Sequence, residues 1–89
     1  MKLKLKGSEV AAGTSTTNGS NVGTATLVRV HNSGSANRLV TLETEAASPV
    51  LLGTFTIGAG KTELLDKNPT DEIFAAHAEV LLVGIAYYS

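Results

Sequence analysis

The segment Ala78–Tyr88 reads Ala-Glu-Val-Leu-Leu-Val-Gly-Ile-Ala-Tyr-Tyr and carries no charge after Glu79. Its apolar residues fall on both parities: Val80, Leu82 and Ala86 point one way along a strand, and Leu81, Val83 and Ile85 point the other. A strand that is apolar on both faces needs cover on both faces, so it belongs in the middle of a layered structure. Its β-branched and aromatic content and its length near ten residues favour strand over helix, although a run this short is compatible with either. The rest of the chain must supply the cover. Eighty-nine residues are enough for one domain with one modest core.

With 43% hydrophobic and 17% charged residues, the chain is globular and lightly charged. A net charge of −1 argues against an electrostatic grip on nucleic acid, which calls for a basic face. The absence of cysteine removes disulfide staples and cysteine-ligated metal. The opening Met-Lys-Leu-Lys-Leu-Lys has the charges of a secretory leader but not the continuous apolar core that should follow. The longest apolar run is about half of the roughly twenty residues that span a bilayer. The expectation is a soluble protein made in a cytoplasm, with no membrane or nucleic-acid partner. So small and lightly charged a domain also gains from subunit contacts, which suggests a homo-oligomer.

Lys2-Leu3-Lys4-Leu5-Lys6 has the two-residue period of a half-buried strand, with leucines resting on a core and lysines facing water. It reads either as a solvated edge strand or as an extended arm (residues 1–7) lying on a neighbouring subunit or an acidic partner. Val10-Ala11-Ala12 can close a short strand. Gly13–Gly23 is rich in Thr, Ser, Asn and Gly, and Asn18-Gly19 predicts a type I′ hairpin turn. Thr24–His31 is a strand, Asn32–Asn37 a loop and Arg38–Thr44 a returning strand, with a turn at Ser48-Pro49. Val50–Ile57 and Lys61–Leu65 are strands joined at Gly58-Ala59-Gly60, and Asp66–Asp71 is a sharp break. Glu72–His77 fits one helical turn or a short strand. Six to eight short strands separated by turn residues predict an all-β chain. Its fold is a single antiparallel β-sandwich, jelly-roll-like or Ig-like, spanning 1–89.

The residues mark no catalytic, cofactor or metal site. Gly58-Ala59-Gly60-Lys61-Thr62 ends like a phosphate-binding loop. The full pattern needs a glycine where Phe55 stands and a helix after Thr62, and Pro69 arrives too soon for one, so it reads as a hairpin turn. His31 and His77 are in no metal-ligand spacing and read as strand-end residues, with a pairing to Glu43 or Glu45 left open. Glu43 and Glu45 lie about 7 Å apart on one strand face, a separation known for paired catalytic carboxylates. A sugar site also needs an aromatic platform, and with 4% aromatic residues an exposed acidic stripe is the better account. Lys67 and Asp71 suggest a salt bridge across a turn or a cap by Asp71. Tyr87-Tyr88 suggest rim packing or an interface.

From Phe55 onward the residues resemble a family. Thr56-Ile57-Gly58-Ala59-Gly60-Lys61-Thr62, then Leu64-Leu65-Asp66-Lys67-Asn68-Pro69-Thr70-Asp71-Glu72-Ile73, then an alanine-rich step into an apolar strand, is similar to the layout of small virion proteins of tailed bacteriophages. The resemblance is particularly to those of marine and cyanobacterial podovirus-like phages. Val28-Arg29-Val30-His31-Asn32-Ser33 followed by Val40-Thr41-Leu42 resembles the earlier hairpin of the same proteins. The likeness is a pattern of turns and strands over roughly Val22 to Tyr88. It implies a non-enzymatic capsid decoration or cement protein, made in the host cytoplasm and carried on the virion. Its partner would be the major capsid protein or another virion protein. Lys2, Leu3, Lys4, Leu5 and Lys6, the loop Gly13–Gly23, and Asn32, Ser33 and Asn37 in the loop Asn32–Asn37 are the expected contact residues. The alternative is a receptor- or glycan-binding module of a tail fibre or adhesin.

Overall fold

Segments whose apolar residues recur every second position become strands. The computed structural model describes residues 2–45 and 48–88, with side chains through position 86. In chain order the strands are β1 (Lys2–Leu5), β2 (Val10–Ala11), β3 (Leu27–Asn32), β4 (Arg38–Glu43), β5 (Leu51–Ile57), β6 (Thr62–Asp66), β7 (Glu72–Ala75) and β8 (Val80–Tyr88). A single turn of 3-10 helix, Thr16–Asn18, lies between β2 and β3. The expected tyrosine rim falls on side chains outside the described residues.

The strands form two antiparallel sheets. One is ordered β1-β8-β3-β6, with β2 continuing the β1 edge along β8; the other is ordered β5-β4-β7. Ser20 bridges Ile73 on the free side of β7 and occupies the place of a fourth strand there. The β4–β5 connection stays within one sheet, the β2–β3 segment leaves its sheet to place Ser20 beside β7 and returns, and the β3–β4, β5–β6, β6–β7 and β7–β8 connections cross between the sheets. The orders β1-β8-β3-β6 and Ser20-β7-β4-β5 are those of a double Greek key, so of the two sandwich types anticipated the chain adopts the jelly roll.

The core lies between the sheets. Val28 and Val30 of β3, Val40 of β4, Ile57 of β5, Ile73 and Ala75 of β7, and Val80 and Leu82 of β8 are all buried there. Burial of each larger aliphatic side chain stabilises the fold by about 1.5–3 kcal/mol. β8 is flanked by β1 and β2 on one side and β3 on the other. Its outward parity is covered as well: Val83 is 4% and Ile85 2% exposed. Leu5 stands beside Ile85 in the β1–β8 register, and Leu3, Leu5, Ser8, Glu9 and Arg29 line one groove with Val83. Both faces of the terminal strand are therefore closed, as its two-parity apolar pattern requires. Gly84 allows the Val22–Ala25 turn to approach; a Cβ there would come 2.9 Å from the Ala25 methyl.

Several expectations are corrected. The leucines of β1 face away from the core: Leu5 opposes Ile85, whose parity points outward, and Leu3 and Leu5 are 46% and 63% exposed. Lys2 and Lys4 take the inward parity and are exposed. Asn18-Gly19 makes no type I′ turn. Asn18 ends the 3-10 turn and Gly19 has φ −62°, whereas type I′ needs positive φ at both positions. Gly58-Ala59-Gly60 is not a hairpin either, because β5 and β6 lie in different sheets. Glu72–Ala75 is strand. The strand expected over Thr24–His31 runs from Leu27 to Asn32, so Asn32 belongs to β3 and not to the loop after it.

Candidate functional site

Three crossovers meet at one end of the sandwich: the β3–β4 loop, the Gly58–Gly60 turn, and the β7–β8 loop. Asn32 holds them together. It is fully buried. Its Nδ2 donates to the carbonyls of Ala36 at 2.7 Å and Ile57 at 3.2 Å, and its Oδ1 accepts from the Gly34 amide at 3.0 Å. Its backbone carbonyl accepts from the Gly60 amide at 2.9 Å. As a contact residue Asn32 is therefore corrected: no part of it reaches the surface, and its work is to order the loops that do. Ser33 and Asn37 are exposed beside it. The Ser33 hydroxyl donates to the Glu79 carbonyl at 2.6 Å, and Asn37 Oδ1 accepts from the Ala59 amide at 3.1 Å. Glu79 also pairs with the Arg38 guanidinium. At Gly34 a Cβ would overlap the Glu79 carboxylate, so this glycine is what lets the ion pair sit under the loop.

The residues considered for chemistry are dispersed. His31 is on the outer face of the β1-β8-β3-β6 sheet, its Nδ1 2.8 Å from the Thr62 hydroxyl. Glu43 is on the outer face of the other sheet, cross-strand from Glu72. The whole sandwich stands between them. His77 is at the loop end, where its Nδ1 accepts from the Glu79 amide at 3.0 Å. Glu43 is not part of an exposed stripe: it is 4% exposed, whereas Glu45 is open to solvent. The segment around the 3-10 turn covers it, and Thr16 Oγ1 donates to its Oε2 at 3.1 Å. Its Oε1 is buried without a protein partner. No sequence signal marks this burial, because the covering residues lie 27 positions away.

Lys67 and Asp71 form neither a salt bridge nor a helix cap. Both are buried at the opposite end of the molecule. The Lys67 ammonium donates to the carbonyls of Asn68 and Pro69 at 3.2 and 3.3 Å, and Asp71 Oδ2 accepts from the Asn68 amide at 3.2 Å. Burial lowers the Lys67 pKa below the ordinary lysine value, and the nearby Asp71 charge opposes that shift. The pair closes its own turn. Among the described residues, no group of three or more His, Cys, Asp or Glu is placed to hold a metal ion.

Among the charged and polar residues on the outside stand several large aliphatic side chains. Leu3 and Leu5 on β1, Val50, Leu51 and Leu52 at the start of β5, Leu39 on β4 and Leu64 on β6 are all at least 46% exposed. β1 borders a groove of about 530 Å³ whose walls include Leu3, Leu5, Val83 and the Arg29–Glu9 ion pair at 2.9 Å. All of these aliphatic residues but Leu39, which is on the central strand β4, sit on or beside edge strands, where backbone N–H and C=O groups are also free to pair. No family model, curated protein or solved structure matches this chain. Its surface must be read on its own chemistry.

Proposed function

We propose that the chain is a non-enzymatic structural protein of a virion, a decoration or cement protein bound to the outside of a phage head. The observation that carries the reading is the concentration of exposed large aliphatic side chains on the edge strands of so small a body. Exposed apolar area of that kind on a soluble domain is characteristic of surfaces covered in an assembly. The Val50–Leu52 patch is more than 45% exposed at all three positions and lies at the free edge of the smaller sheet, where it offers an apolar ridge to a neighbour. Ser33 and Asn37, held on a stiff loop end, add polar contacts at the other end of the sandwich. The jelly-roll order supports the same reading, since this architecture recurs in capsid proteins, and so does the likeness to small phage virion proteins. A glycan-binding role would be favoured by an aromatic platform, and the groove beside β1 has no ring among its described lining residues.

The test is co-sedimentation of purified protein with undecorated phage heads. The protein should pellet with heads in a saturable ratio, and Leu51→Asp, which places a charge on an exposed position of the ridge, should lower the bound amount at least tenfold with an unchanged melting curve. No pelleting of the wild-type protein at any ratio removes the decoration reading.

A further inference from the structure

We infer that copies of this chain assemble head to tail, the β1 edge of one copy adding to the β6 edge of the next to continue one antiparallel sheet. The inference goes beyond the decoration reading and stands without it, because it needs no head surface.

The two strands are the opposite free edges of the same sheet. Neighbours in that sheet are antiparallel throughout, so β1 and β6 run in opposite directions. A second copy in the same orientation therefore meets β6 with an antiparallel β1, and no inversion of the subunit is required. The backbone groups match as well. The Lys6 amide donates to Gly84 of β8, so Lys2, Lys4 and Lys6 spend their hydrogen bonds inward, and Leu3 and Leu5 direct theirs outward. On the other edge the amide of Asn32 donates to the Lys61 carbonyl, and that of Lys67 to the Thr26 carbonyl. The odd positions of β6 therefore bond to β3, which leaves the N–H and C=O groups of Thr62, Leu64 and Asp66 free.

The side chains agree with this pairing. Leu3, Leu5 and Leu64 all project on the outer face of the sheet, and Lys4 and Glu63 take the inner parity. Only alternate registers satisfy the free backbone groups, and in two of them Glu63 meets a lysine while a leucine meets Leu64. The register that sets Leu3 against Leu64 also puts Lys6 opposite Lys61, a like-charge contact. The register that sets Leu5 against Leu64 puts Lys6 against Glu63 and Lys2 opposite Lys67, whose ammonium is buried and turned back onto the Asn68 and Pro69 carbonyls, and it is the one assigned here. The lysines that favour this contact also discourage the symmetric one, since two β1 edges would bring like charges together. A contact between two different patches is heterologous and yields a closed ring or an open filament.

The chain contains no cysteine, which makes the contact directly testable. Lys6 and Glu63 are both exposed, and in the assigned register they form a non-hydrogen-bonded pair, the closer of the two cross-strand spacings. The Lys6→Cys/Glu63→Cys variant, oxidised at a concentration where sedimentation shows association of the wild type, should give a ladder of covalent dimers, trimers and larger species. Lys6→Cys alone should give no ladder, and an equimolar mixture of the two single variants should stop at the dimer. A wild type that sediments as a monomer up to millimolar concentration at low salt would overturn the inference. Disulfide dimers of Lys6→Cys alone, formed as fast as the ladder, would overturn it too, since they would report a symmetric β1 pair.

Discussion

Asn32→Ala should lower the melting temperature by roughly 10–20 °C, although the residue touches no partner and belongs to no catalytic group. The substitution removes both Nδ2 bonds, to Ala36 and Ile57, and the acceptor for the Gly34 amide; the side chain is fully buried, the Ile57 bond is closed off from water and the other two are partly so. A buried hydrogen-bonding group left without a partner costs about 1–3 kcal/mol, so two stranded carbonyls and one stranded amide make a loss of about 2–4 kcal/mol reasonable after local relaxation. For a domain of this size each kcal/mol corresponds to about 4–8 °C. Asn32→Asp should be at least as damaging at neutral pH, because it sets a carboxylate against the Ala36 and Ile57 carbonyls. That variant should regain stability as the pH falls, since protonation restores one donor. Thermal melts followed by circular dichroism at two pH values check both statements. A shift below about 5 °C for Asn32→Ala would show that the three crossovers hold together without it.

Leu82→Ala is the second large effect. Leu82 is fully buried in the core between the sheets, and truncation of such a leucine costs about 2–5 kcal/mol through lost burial and the cavity left behind. A domain of this length has about 4–13 kcal/mol of net stability in all, so one substitution removes a large fraction of it. Val83→Ala, on the opposite face of the same strand, should also cost more than about 1 kcal/mol, since Val83 is 4% exposed. Leu64→Ala, at 48% exposure on the β6 edge, should change the stability of the isolated subunit by no more than about 0.5 kcal/mol. Urea titration of the three variants ranks them. Equal losses for Leu82→Ala and Leu64→Ala would mean that the interior does not lie where the strand order puts it.

The place of β8 was legible in the sequence because apolar residues on both parities leave a strand few alternatives. Other features were not legible, each for a physical reason. Alternation in Lys2–Lys6 reports the period of a strand but not which parity meets the core. The leucines face outward because β1 pairs with β8 in the register that sets Leu5 beside Ile85, a property of residues distant in the chain. Turn composition at Gly58–Gly60 is the same whether the next strand pairs with the last or crosses to the other layer. Asn32 carries the composition of a loop, yet its burial in β3 makes it the residue that orders the loops. Glu43 looks like half of an acidic stripe until Thr16 and its neighbours fold over it.

The candidate surface follows the same division. The segment Lys2–Lys6 was recognisable as an edge from its charges, and it is one. That the opposite edge of the same sheet would carry Glu63 and Leu64 in matching parity required the strand order, because β1 and β6 are separated by most of the chain.

The most direct test of the doubly covered terminal strand is amide hydrogen exchange on the wild-type protein at high dilution. The amides of Leu81 and Val83, which bond to β3 in the centre of the sheet, should exchange only through global unfolding, whereas those of Leu3, Leu5 and Leu64 at the free edges should exchange orders of magnitude faster. Exchange of Leu81 and Val83 at the rate of the edge amides would contradict the account.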